Sequence, residues 1–200
     1  MSICKEDIAD QVLDAARNCL IRKDGRKVTV AEVAREAGVS RPTVYRRWPD
    51  MSEILRALLT REVMSVVAAV TDVTPLRTAD FDATIDLVVR VVAALRDDEL
   101  VAALWREQRE FMMPYVFDRL GTSQQGVLDI LADSIGRGQE RGQVRDGDPD
   151  KMASMVLLIT QSAIQSRALV ESILGDEWSR ELHYALSAYL RRPDDLPTAT

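Results

Sequence analysis

"TVAEVAREAGVSRPTVYRRW", residues 29–48, decides the fold. The stretch divides at Gly38. Before it, Thr29 and Glu32 have capping-box spacing: the threonine oxygen can accept from the third helical N–H while the glutamate reaches back. Val33, Ala34 and Ala37 give the helix that follows a narrow apolar face. Gly38 can take positive φ at little cost, which ends the helix in a tight turn. Val39 can then plug a core. Ser40 can cap a second helix, and Pro42 falls in its first turn, where a missing N–H does no harm. Val44 and Trp48 are four apart and can both face inward. Two short helices about a glycine turn form a helix-turn-helix.

The second helix of such a pair can enter a DNA major groove and present its N-terminal residues to base edges. With Val44 and Trp48 inward, Arg41, Pro42, Thr43, Tyr45 and Arg47 are expected to face out. Arginine can pair bidentately with guanine O6 and N7, and Thr or Pro can touch a thymine methyl. Tyr45 and the neighbouring arginines can reach phosphates, which position a protein without reading sequence. Charge agrees. The chain has a formal net charge of −6, yet residues 1–49 carry +3 and the remainder −9. A basic head on an acidic body suits a head that meets a polyanion.

Outward from this stretch the chain reads as helix. Apolar residues at Ile8, Val12, Ala15, Ala16, Cys19 and Leu20 predict a helix from Lys5 to Arg22, stopped by Gly25. The third helix is expected to run to about Trp48. Asp50 and Glu53 open a fourth, to about Val70. Further helices are expected at about 81–96, 98–109, 122–141, 149–173 and 176–191, with a break around Pro114. Cys4 and Cys19, on one helix, lie roughly 22 Å apart at about 1.5 Å per residue and cannot pair there.

Several function classes are not supported. At 200 residues, 46% hydrophobic and 29% charged, the composition is that of an ordinary globular protein. No apolar run reaches the length of a membrane span. The opening "MSICKEDIAD" has no basic n-region or apolar h-region, so a cytoplasmic protein is expected. There is no Gly-rich phosphate loop, G-x-S-x-G, C-x-x-C or histidine pair, and the single histidine is His183. Neither an enzyme, a metal nor a cofactor is expected.

Residues 29–55, "TVAEVAREAGVSRPTVYRRWPDMSEIL", resemble the DNA-binding segment of TetR/AcrR-type transcriptional regulators. "RGQERGQVRDGDPD", residues 137–150, resembles the helix end and turn that precede the penultimate helix in many members. The resemblance implies an all-α fold: a three-helix DNA-binding head, expected at residues 1–49, and a helical ligand-binding and dimerisation body at 50–191, with a flexible tail at 192–200. It implies that Arg41, Pro42 and Thr43 read bases, that Thr29, Tyr45 and Arg47 touch phosphate, and that Ser40 caps the reading helix. One departure stands out. The family commonly has Lys at the start of the fourth helix, where this chain has Met51. Arg46 and Arg47, or Arg26 and Lys27, are expected to compensate.

The body is expected to do two jobs. A two-fold operator asks for a two-fold protein. Val156, Ile159, Ala163 and Val170, with Trp178, Leu182, Ala185 and Tyr189, form apolar faces on the last helices, and similar proteins pair these helices across a homodimer. For ligand sensing, Trp105, Phe111, Met112, Tyr115 and Phe117 gather adaptable apolar groups around Pro114. Gln161 and Gln165, one turn apart, can orient a small-molecule effector. The expected function is a repressor that binds a palindromic double-stranded DNA operator as a dimer and is released by a small apolar or amphipathic molecule. The alternatives are a DNA-bound scaffold that recruits a protein partner and an activator of the same fold.

Overall fold

The computed structural model describes residues 3–73 and 79–192, without the side chains of 3–7, 73 and 167. The Cys4 thiol and residues 193–200 of the expected tail lie outside the described residues. What is described is helix, turn and loop, with no strand among the described residues.

The helices are α1 (Ile3–Arg22), α2 (Val30–Glu36), α3 (Arg41–Tyr45), α4 (Met51–Val73), α5 (Phe81–Asp97), α6 (Glu99–Glu107), α7 (Arg109–Met112), α8 (Pro114–Phe117), α9 (Thr122–Glu140), α10 (Pro149–Gln165), α11 (Arg167–Leu174) and α12 (Trp178–Leu190), with a 3₁₀ turn at Gly175–Glu177. Order and type follow the periodicity. Three details differ from expectation. The helix α3 ends at Tyr45, with Arg46 as its C-cap, although the Trp48 N–H still bonds the Val44 carbonyl. The break around Pro114 contains two single-turn helices, α7 and α8. The helix expected at 149–173 is interrupted at Ser166, where φ is −90° and ψ is 10°. Neither Gly nor Pro marks that position, so the hydrophobic period runs through it.

The chain folds as two compact units: residues 1–63 with 97–123, and residues 64–96 with 124–200. In the first, α1 packs on α2 and α6, and α2 on α3. Its core joins Val12, Ala16 and Leu20 of α1, Val33 and Ala34 of α2, Val44, Trp48, and Ile54 and Leu58 of α4. Leu100 and Leu104 of α6 and Met112 of α7 enter the same core. This core therefore reaches well past residue 49. Fully burying one such Val or Leu stabilises the fold by about 1.5–3 kcal/mol. On its surface Arg61 of α4 bonds Asp14 at 2.8 Å, and Arg17 of α1 lies 3.4 Å from Glu62.

In the second unit, α10 packs on α12. The core joins Ile85, Val89 and Val92 of α5, Ile135 of α9, Met152, Ala153 and Val156 of α10, and Trp178, Leu182 and Leu186 of α12. Arg96 of α5 stacks 4.3 Å from the Trp178 ring. His183 of α12 reaches Asp86 of α5 at 3.3 Å, so the one histidine joins two helices of this unit. After α9 the turn is held tightly: a Cβ on Gly138 would come within 2.5 Å of Val144. The Gln139 side chain also donates to the carbonyls of Arg145 and Gly147 at 3.0 and 2.9 Å.

Candidate nucleic-acid interface

The helix-turn-helix is assembled by local hydrogen bonds. The capping box at α2 is complete. Thr29 Oγ1 accepts from the Glu32 N–H at 3.3 Å, and Glu32 Oε2 accepts from both the N–H and the hydroxyl of Thr29 at 2.9 Å. Lys23 adds its ammonium to Glu32 at 2.5 Å. These donors hold the Glu32 carboxyl down at about 2, the Lys23 bond first and the Thr29 bonds next. Arg22 pairs with Glu36 at 2.9 Å and lowers that carboxyl too. Thus α2 is locked to the end of α1 by two ion pairs. Between them, Cys19 is buried, and burial pushes its thiol up, away from nucleophilic reactivity.

At Gly38, φ is 67°. The chain then enters α3 through Ser40, whose Oγ accepts from the Thr43 N–H at 3.3 Å and lies 2.8 Å from Thr43 Oγ1. Val44 and Trp48 are buried. Arg41, Pro42, Tyr45, Arg46 and Arg47 are exposed, and Thr43 is half-buried with its hydroxyl turned to Ser40. The Arg47 guanidinium sits 5.3 Å from the Trp48 ring centroid, which orients it without neutralising it. Met51, where a lysine was expected by resemblance, is half-buried on the core.

The distribution of pairs matters more than the count of charges. Every described acid between residues 8 and 49 faces a cation: Asp10 and Asp14 face Arg61, Glu32 faces Lys23, Glu36 faces Arg22, and Asp24 faces Arg106. By contrast, Arg26, Lys27, Arg41, Arg46 and Arg47 are exposed and make no ion pair among the described residues. The described acids of the head are matched with cations away from α3, so the cations on and near α3 are available to an external anion. Arg26 and Lys27 join the expected set in this respect.

The expected sensing residues fall in both units. Trp105, Phe111 and Met112 pack on the core of the first, Met112 fully buried. The Phe111 and Tyr115 rings meet edge to face at 5.6 Å. Phe117 is 72% exposed. Gln161 and Gln165 belong to the second unit, where Gln161 bonds Gln124 at 2.5 Å.

The residues expected at a dimer interface are divided. Val156, Trp178 and Leu182 are buried in the second unit's own core. Ile159, Ala163, Val170 and Tyr189 are half-buried, and Ala185 is exposed. The large apolar side chains that this unit leaves uncovered are others: Met155 and Leu158 on α10, Leu169 and Ile173 on α11 (76% and 78% exposed), and Tyr184 on α12. The sequence signal for them is that α10 is apolar on two sides. Met155 and Leu158 form an i, i+3 pair beside the stripe that packs inward.

Residues 12–58 match the family model of bacterial regulatory proteins, tetR family. The chain is 43% identical over 191 residues, 95% of its length and 98% of the relative's, to an uncharacterized HTH-type transcriptional regulator of Mycobacterium bovis. A Mycobacterium tuberculosis protein described in the same words is 42% identical over the same coverage. Among solved structures, RolR in complex with resorcinol superposes with a TM-score of 0.69 at 17% identity, covering 95% of this chain and 90% of RolR. The SmeT–triclosan complex gives 0.58 at 21%, covering 96% of each chain. At these identities the structural likeness speaks to the fold.

Proposed function

We propose, for a chain that belongs to the tetR family of HTH-type DNA-binding transcriptional regulators, that it is a cytoplasmic repressor which binds a palindromic operator as a homodimer and leaves it when a small apolar or amphipathic molecule binds. The observation that carries this reading is the set of unpaired cations on and beside a capped α3, in a head whose described acids are all matched elsewhere. In this reading Arg41, Pro42 and Thr43 read bases, and Tyr45, Arg46, Arg47 and Thr29, with Lys27, meet phosphates. In this reading residues 1–49 address the DNA, and residues 50–191 pair the chains and sense the effector.

Release needs a mechanical link, and contacts within the first unit support one. Gln108, at the end of α6, donates to the Gly25 carbonyl at 2.7 Å, and Arg106 pairs with Asp24. A Cβ on Gly25 would come within 2.5 Å of the Ala103 carbonyl oxygen, so the α1–α2 turn and α6 lie in direct contact. A molecule that displaces α6 through Trp105, or α7 and α8 through Phe111 and Tyr115, moves the base of the reading head. Half-sites must sit about 34–36 Å apart or a multiple of it. A coupling of about 1–3 kcal/mol changes affinity roughly 5–150-fold. RolR and SmeT are solved with resorcinol and triclosan. A small organic effector is the corresponding expectation here.

The test is selection of genomic fragments by the purified protein at a stated salt concentration, because phosphate contacts dominate non-specific affinity. A few palindromic sites in promoters are expected. Many scattered, non-palindromic sites would overturn the local-repressor reading in favour of the DNA-bound scaffold. A small-molecule screen on the recovered operator then tests release.

A further inference from the structure

The second unit holds a group of glutamines on stretches of helix that carry few ionisable side chains. Gln124 of α9 donates through Nε2 to Gln161 Oε1 of α10 at 2.5 Å, which joins the two helices. One turn further along α10, the Gln165 amide nitrogen is shut off from solvent, and no acceptor reaches it among the described residues. Gln161 and Gln165 share a helix face. An amide nitrogen carries two donors. When it is buried without an acceptor it has lost its water and gained no partner, a condition native proteins rarely leave in place.

The neighbouring chain defines what could complete it. Residues 64–71 of α4, 124–128 of α9 and 152–166 of α10 carry no ionisable side chain. Two of these segments meet at Gly126, where a Cβ would lie 3.5 Å from Met64 Sδ. Leu128, Ile159, Ala163 and Ile164 are half-buried against the unit's core beside them. A charged ligand held against these segments would give up its hydration and find no counter-ion on them. A pure hydrocarbon would leave the Gln165 donor unmatched. A neutral, largely apolar molecule with one accepting oxygen satisfies both conditions.

We propose that the effector of this protein is such a molecule — a ketone, ester, ether or alcohol on an apolar frame — and that Gln165 Nε2 donates to its oxygen beside the Gln124–Gln161 pair. The proposal rests on the effector-responsive reading above and narrows its chemical class. It also makes Gln165 the residue that separates oxygenated effectors from hydrocarbons of the same shape, as expected of a buried donor facing a ligand that lacks its acceptor.

The test uses the full chain and two matched triads: 2-octanone, octane and octanoate; acetophenone, cumene and benzoate. Each is titrated as a competitor of the apolar fluorophore N-phenyl-1-naphthylamine. In at least one triad the ketone is expected to bind about tenfold more tightly than the hydrocarbon, with the anion weakest. Gln165→Leu removes the ketone's advantage and keeps hydrocarbon binding. Gln165→Met, closer in length, does the same and guards against a packing defect in the first variant. A ketone preference that survives in both variants, a preferred carboxylate, or a fluorophore displaced by no triad member overturns the proposal and leaves the effector-responsive reading standing. A wild-type protein that binds neither the fluorophore nor any triad member removes that reading, and the proposal with it.

Discussion

Arg41 and Gly25 show how much a single position can decide. Arg41 is exposed at the first turn of α3 and makes no ion pair among the described residues, so its guanidinium is available to a base or a phosphate. As a guanine reader, Arg41→Ala costs about 1–3 kcal/mol of operator binding and relaxes preference at one position per half-site. Binding measured across a library of operator variants separates the roles, because a phosphate contact weakens every sequence alike. Gly25 works through space. Its φ is 79° and the Ala103 carbonyl occupies the place of a Cβ, whereas Gly38, at φ 67°, has nothing near. Gly38→Ala should therefore lose only the left-handed conformational penalty, about 1–2 kcal/mol. Gly25→Ala should lose clearly more, because backbone has to move. Denaturant titrations that show equal losses would mean that α6 does not bear on the turn.

Helix by helix, legibility followed locality. The Thr29–Glu32 box, the Ser40 cap and the Asp50 cap on Glu53 N–H at 3.0 Å were readable because each is a contact over three residues. The Ser166 interruption was not, because no breaker residue marks it. The capping box carries a pH prediction. Glu32 is held at about 2 in the fold against an ordinary 4.5, and Glu36 is lowered in the same sense. A depressed carboxyl contributes stability that is complete above the ordinary value and is lost as pH falls through the folded one. The window is therefore about pH 4.5 down to 2. Glu32→Gln keeps a capping amide and loses the charge bond to Lys23. Its stability deficit against wild type is expected to be constant above pH 5 and to shrink progressively below 4.5. A deficit that stays level on acidification would show that the Lys23 ion pair contributes nothing. Thr29→Ala, which removes the cap itself, should cost about 1 kcal/mol above pH 5 and less below 4.5, because the Thr29 hydroxyl also bonds the ionised Glu32.

At the scale of the molecule, the chain order and the packing part company. The sequence divides naturally into a basic head and an acidic body, but residues 97–123 return to the head's core through Leu100, Leu104 and Met112. Nothing in a linear pattern announces that return, because apolar spacing says that a helix has a buried face and not which unit buries it. The same ambiguity governed the pairing surface. Val156, Trp178 and Leu182 have the spacing of an interface and are taken by the unit's own core, while Leu169 and Ile173 stand more than three-quarters exposed on α11. If those two, with Met155, Leu158 and Tyr184, form the two-fold contact, Leu169→Glu with Ile173→Glu should leave thermal stability of the chain at low concentration unchanged and convert a dimer to a monomer in sedimentation. Operator affinity should fall by about 10² or more, because the second half-site is no longer held at high effective concentration. Leu182→Ala is the contrasting change. It removes core volume, should cost about 2–5 kcal/mol of fold stability, and should leave association intact wherever the protein is folded. The two variants exchange signatures if the assignment of faces is reversed, so sedimentation and denaturation measured on the same pair decide which apolar surface faces a second chain.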